Sequence, residues 1–450
     1  MKFYDRESEV ASMIFMQERA FSDHSRMTVI TGRRRIGKTS LMLEACKGQP
    51  TVYLFVTRDN EAVLCENFRQ GVEKGLGLPV PPGITRFRGL FQLLLNEGRE
   101  RPFNLIIDEF QDFQYVNPAV FSDVQELWDL SKDETHVNLL LSGSVYTMMQ
   151  KIFRDYKQPL FGRADAMLPL RPFGTDTMKS IMRDYSPGYT NDDLLALYMF
   201  TGGVPKYVSL LMDNGAFTRE KMIDLMIRED SIFLDEGRRI LVEEFGKEYG
   251  TYFSILSAIA SGTDTQPGIQ AALGNRSAGG LLQRLIEDYG LIRRKRPIFS
   301  EEGTQKVRFE ISDQFLRFWF RYMHKNRGLI EIGNYALLKR IIEEDYETFS
   351  GLILEQYFRT RFIESQLYRN IGGWWDPKGY TDRKGNHQQC ELDIVTEDPV
   401  GNVLEIYEVK RNPEKYRRAL LKEKSEHFLV KEKKARGFKV KLERLSLEDM

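Results

Sequence analysis

The chain has 450 residues, with 65 basic and 65 acidic side chains that cancel to zero net charge at neutral pH. That length calls for about two to four domains, and the neutral total sets the chain apart from proteins that coat nucleic acid through bulk charge. No apolar run is long enough to cross a bilayer and no signal-peptide pattern opens the chain. Three distant cysteines (Cys46, Cys65, Cys390) exclude a disulfide framework, and five scattered histidines argue against a zinc site. A cytoplasmic location without membrane contact is therefore expected.

Residues 1–172 alternate short apolar runs with helical stretches. Met27–Thr31, Thr51–Val56, Phe103–Ile107 and Val137–Leu141 are nearly continuous apolar runs, the pattern of parallel strands buried on both faces. A first α/β domain with a parallel sheet is predicted. Gly32, Arg33, Arg34, Arg35, Ile36, Gly37, Lys38 and Thr39 match G-x-x-x-x-G-K-[ST], and Ser40 follows. The two glycines let the backbone curl so that its N–H groups face phosphates, and the next helix adds its positive N-terminus. Lys38 is expected to reach the β- and γ-phosphates of ATP, and Thr39 to hold Mg²⁺. About seventy residues on, the run Leu105–Ile107 ends in Asp108 and Glu109. Asp108 is expected to bind the metal and Glu109 to orient or deprotonate the attacking water.

Val137–Leu141 leads into Ser142-Gly143-Ser144, where either serine could sense the γ-phosphate or simply shape a turn. Arg163 has two readings: an arginine finger or sensor, or a surface residue. A finger acting between subunits would make the chain a homo-oligomer. Residues 173–245 read as a helical lid. Residues 246–330 read as three helices and a two-stranded ribbon, the order of a winged-helix module. In it Arg284 and the cluster Arg293–Arg296 are candidates for DNA contact. The aromatic run Phe315–Phe320 reads as core packing.

The remaining segment, 331–450, contains a helix bearing Glu355 and a hairpin, 391–396 and 403–410, turned by Asp398-Pro399-Val400-Gly401-Asn402. Asp393 lies on its first strand; Glu408 and Lys410, two apart, share a face of the second. Two acids beside a lysine can bind Mg²⁺, activate water and offset phosphodiester charge. Gln389 and Glu391 flank them as weaker candidates. From Arg411 to Arg444 there are thirteen basic and five acidic residues, a stretch that suits a nucleic-acid backbone or a solvated helix face.

The phosphate loop, Ile106-Ile107-Asp108-Glu109-Phe110-Gln111, Leu141–Ser144, Phe161-Gly162-Arg163, Gly202–Tyr207 and Asp313–Trp319 together resemble the archaeal-type P-loop ATPase family of AAA+/STAND-like proteins. Phe3–Glu7 resembles the family's start near the adenine pocket, with Asp5 where the family carries glycine. The resemblance implies a multidomain α/β chain: a P-loop core, a helical lid, a winged-helix region and a restriction-endonuclease-like end. Asp393 with Glu408-x-Lys410 resembles the PD-(D/E)xK nuclease core, which implies Glu355 as that fold's extra acid. The expected function is an ATPase that couples nucleotide state to DNA binding or cleavage. The alternative is a nucleotide-dependent signalling switch, or a DNA-binding regulator, with an inactive nuclease-like domain.

Overall fold

In the computed structural model of the chain, which describes residues 1–144, 146–245, 249–301, 303–382, 385–400 and 402–450, the apolar runs become strands whose apolar side chains enter the cores. β1 (Arg26–Thr31), β2 (Thr51–Phe55), β3 (Phe103–Asp108), β4 (Val137–Gly143) and β5 (Ala166–Pro169) form a sheet in the order β2-β3-β4-β1-β5. Every pairing in it is parallel. Alternation sends Val29, Leu54, Ile107 and Leu141 into one core and Ile30, Ile106 and Leu140 into the other. The first core is closed by helices such as Glu61–Leu76 and Phe87–Glu100 through Phe68, Phe87 and Phe91. The second is closed by Met13, Leu41 and Met42. β5 is a strand that the sequence pattern did not announce.

The chain divides into two compact units, residues 2–172 and residues 173–450 with Met1. The second unit begins with helices, among them Thr175–Tyr185 and Asn191–Thr201. Further along come Tyr249–Ala260, Gln266–Ala272 and Gly279–Glu287, then β6 (Ile292–Lys295) paired antiparallel with β7 (Arg308–Ile311). Phe315, Phe318, Trp319 and Phe320 are buried. A long helix, Tyr335–Ser365, leads into β8 (Asn370–Thr381), β9 (His387–Glu397) and β10 (Val403–Val409). The helix Arg418–Lys431 connects β10 to β11 (Lys439–Leu445).

The second sheet runs β11-β10-β9-β8, antiparallel except for the β10–β11 pair. Trp374, Leu392, Leu404, Ile406 and Phe428 fill its core. The architecture is multidomain α/β, as the sequence led one to expect. Gly401 of the expected hairpin turn, and residues 246–248 beside the expected 245/246 boundary, lie outside the described residues. Among the described residues no helix is long and apolar enough to cross a membrane.

Candidate functional site

β1 ends at Thr31, and the chain turns at Gly32 with φ +154°. A Cβ there would meet Ile36 Cγ2 and the Leu170 carbonyl oxygen, each at 3.1 Å, so only glycine lets the loop pass. Arg35 (φ +69°) and Gly37 (φ +91°) complete the curl, and Gly37 caps the helix Lys38–Ala45. Ile36 anchors the loop in the core, while Arg34 and Ser40 are exposed and Arg33 is half-buried. Lys38 is buried, and its Nζ donates to the carbonyls of Gly32 (3.0 Å) and Arg33 (3.2 Å). An ammonium is thus held inside a backbone loop at a helix N-terminus, the arrangement that receives phosphate oxygens.

The spatial strand order places Asp108 beside this loop. Thr39 Oγ1 donates to Asp108 Oδ2 at 2.6 Å, and Tyr53 donates to the same oxygen at 3.0 Å. Oδ1 accepts from Ser142 Oγ and from the Glu109 N–H (3.0 Å). A hydroxyl oxygen and a carboxylate this close form a hard-oxygen donor pair that fits Mg²⁺. Burial, reinforced by Asp108, pushes the Tyr53 phenol far above its usual range, so it stays a donor.

Glu109 follows with φ +54°. Its Oε2 accepts from Gln111 Nε2 (2.6 Å), Ser144 N (3.1 Å) and Ser144 Oγ (2.7 Å). Ser142 and Ser144 therefore face the two acids rather than merely turning the chain. Tyr53 and Gln111 are additions to the expected residues. The apolar strand around Tyr53 hid its hydroxyl, while Gln111 stood in the motif string without an assigned role.

Arg163 is engaged elsewhere. Its guanidinium forms a forked pair with Asp129 (2.9–3.1 Å) and donates to the carbonyls of Pro159 and Phe161. Arg163 thus lies partly exposed, held by Asp129 and two carbonyls.

A second acidic site lies where β9 and β10 part. The ladder's last backbone pair is Tyr407 with Ile394, beyond which the Asp393 carboxylate takes the Val409 N–H at 2.8 Å. Lys410 Nζ lies 3.3 Å from Glu408 and 3.7 Å from Asp393. Glu408 is buried, and among the described residues its Oε2 has no hydrogen-bond partner. Burial, then the nearby Glu355 charge, push the Asp393 carboxyl up to about 6 against the pull of Lys410.

Asp393, Glu355, Lys410 and Arg411 line a cavity of about 580 Å³. Glu355 is held by Arg359 (2.5 Å) and by Lys295 of β6 (3.5 Å). Among the described residues no three acidic, histidine or cysteine side chains are grouped to hold a metal. Asp393 and Glu408, the two expected metal ligands here, lie with the Lys410 ammonium beside them. Glu391 is paired with Arg308, and Gln389 is exposed.

The candidate DNA-binding cations make contacts within the protein, while Arg284, Arg294 and Arg296 remain exposed. Arg293 pairs with Glu310, Arg294 with Gln283, and Arg284 with Asp288 (3.6 Å); Arg296 is exposed.

A parallel sheet with a phosphate loop after one strand and an acidic pair after another defines a P-loop nucleoside triphosphatase. Residues 3–211 match the family described as "ATPase domain predominantly from Archaea", and residues 319–428 match one described as "Archaea bacterial proteins of unknown function". An uncharacterized protein of Methanocaldococcus jannaschii is 30% identical over 406 residues, 87% of this chain and 84% of that protein. An uncharacterized ATP-binding protein of the same organism is 25% identical over 291 residues, 54% of this chain and 78% of that one. The Walker-type ATPase of Pyrococcus abyssi has a similar fold (TM-score 0.53, 18% identity, 71% of this chain and 96% of that one). The chain belongs to the archaeal-type ATPase family and joins its ATPase domain to the C-terminal domain of unknown function.

Proposed function

We propose that the chain hydrolyses ATP at the Gly32–Ser40 loop, and that nucleotide state governs DNA binding or metal-dependent DNA cleavage by the C-terminal domain. The supporting observation for hydrolysis is the contact between Thr39 and Asp108 at 2.6 Å, with Glu109 fixed beside it. Lys38 and the helix N-terminus bind the triphosphate. Thr39 and Asp108 would hold Mg²⁺, which when bound neutralises phosphate charge. Glu109 has one carboxylate oxygen tied by Gln111 and Ser144 and uses the other to orient or deprotonate water. In this reading 1–172 is the ATPase core, 173–245 the lid, 246–330 the winged-helix region and 331–450 the nuclease-like domain.

The convergence of Asp393, Glu408 and Lys410 supports the cleavage arm of the proposal. Wild type is expected to hydrolyse ATP, and Lys38→Ala to lose both nucleotide binding and turnover. With Mg²⁺ or Mn²⁺, wild type is expected to cut DNA and Asp393→Ala and Lys410→Ala to be inert. Cleavage by neither metal on any DNA form sinks the nuclease arm. The second reading, a switch or DNA-binding regulator with an inert C-terminal domain, is favoured by the C-terminal acids: among the described residues no three acidic, histidine or cysteine side chains gather to hold a metal. A salt-dependent DNA titration without cleavage would select it.

A further inference from the structure

β2 is the edge strand of the first sheet, and Tyr53 lies at its middle. Its parallel partner on β3 is Ile106, and Phe55 is the partner of Asp108. Residues 106 and 108 share a face, so a side chain long enough to extend along the strand from position 53 can reach the carboxylate. Tyrosine has that reach. Its ring packs against the core that includes Ile30, Leu41 and Ile106, and its hydroxyl ends 3.0 Å from Asp108 Oδ2.

Oδ2 therefore has two hydroxyl donors with different duties. Thr39 is a residue of the phosphate loop, whose hydroxyl oxygen must also face the cation. Tyr53 belongs to the sheet, outside the phosphate loop. The terminal torsion of an aspartate is broad and roughly two-fold, so one fixed donor on each oxygen is what sets its rotation. Ser142 serves Oδ1. We propose that Tyr53 is a positioning residue of the ATPase site, holding Asp108 in the rotation that receives the divalent cation through its Oδ2 oxygen. This rests on the ATPase reading above. Outer hydrogen-bond partners of metal-binding carboxylates act in this way, and their loss costs about 10–100-fold in metal affinity or activity.

Tyr53→Phe isolates the hydroxyl, because the ring and its packing remain. The test measures binding of a fluorescent ATP analogue with MgCl2 and with EDTA, the Mg²⁺ dependence of steady-state ATP hydrolysis, and the melting temperature. The expected result is an unchanged melting temperature and an unchanged affinity for metal-free nucleotide. The strengthening of nucleotide binding by Mg²⁺ should shrink. The Mg²⁺ concentration for half-maximal turnover should rise about tenfold, with kcat lowered and the KM for Mg·ATP raised. Tyr53→Leu, which loses ring and hydroxyl together, should lower the melting temperature as well.

If wild type shows Mg²⁺-strengthened binding and Tyr53→Phe matches it in binding and turnover, the role of Tyr53 is overturned while the ATPase reading stands. If Tyr53→Phe loses metal-free nucleotide binding to the same extent as Mg²⁺-dependent binding, the hydroxyl supports the loop generally, and the proposal fails. A wild type that binds no nucleotide overturns the ATPase reading and this proposal together.

Discussion

Gly143 sits at the end of β4, where a Cβ would lie 2.2 Å from Gln111 Oε1 and 2.5 Å from the Met149 side chain. Gln111 in turn ties Glu109, so a methyl group at 143 would move the water-orienting acid without touching the phosphate loop. Gly143→Ala is expected to lower ATP turnover about a hundredfold with nucleotide affinity retained; turnover equal to wild type would refute the Gln111–Glu109 link. Asp393 offers a test of opposite sign. Its carboxyl is raised from an ordinary 3.8 to about 6, so the folded state binds its proton more tightly than the unfolded chain. That contribution to stability is full below about pH 4 and is lost as pH rises through about 6. Asp393→Asn keeps an acceptor for the Val409 N–H and removes the buried charge. Melting curves should therefore place it about 2–4 °C above wild type at pH 7.5, with the gap closing toward pH 4. A gap that does not vary with pH would show that the carboxyl does not titrate as described. Lys38, Asp108 and Asp393 could be read from the chain because their spacing follows strand and loop geometry. Tyr53 and Gln111 could not, since a hydroxyl or amide that crosses from one strand to another leaves no spacing in the sequence.

Among the elements, the β6–β7 ribbon forms where the sequence placed a two-stranded ribbon. Arg293–Arg296 looked like a face for DNA, yet three of the four cations bond within the protein. Glu310 on β7 explains part of this. Burial would raise its carboxyl, but Arg293, then Lys295, Arg359 and Arg317, hold it below the usual range. Its stabilising effect is present above the usual carboxylate range and is lost as pH falls through its lowered one. Arg293 keeps 41% of its side-chain surface exposed, which screens the pair. Glu310→Gln should accordingly cost about 1–3 kcal/mol, read from the urea midpoint at pH 7; an unchanged midpoint would contradict the arrangement. The strands β1 to β4 were legible because their runs are apolar, with both faces of β3 and β4 buried. β5 has only four residues and ends in Pro169. β8 is interrupted by glycines and Pro377, with register shifts at Gly372/Trp374 and Asp376/Tyr380. β11 alternates charged and apolar residues at a sheet edge. Charge on an edge strand discourages pairing with other chains and at the same time hides the strand from an apolar pattern search.

At the scale of the molecule, the domain of unknown function supplies the acidic cavity and the ATPase domain supplies the nucleotide site. If the proposed coupling holds, DNA must change nucleotide affinity by the same factor that nucleotide changes DNA affinity. The strand order has a further consequence for how the molecule is made. β4 lies between β1 and β3 although it follows both in sequence. As the chain leaves the ribosome, the phosphate loop and Asp108 emerge well before the strand that belongs between them. They cannot take up their final spacing until residue 143 has been synthesised and inserted. A nascent chain stopped at Glu109 would thus carry the phosphate loop and the acidic pair and still lack a nucleotide pocket, which makes ATP capture a late reporter of folding during translation.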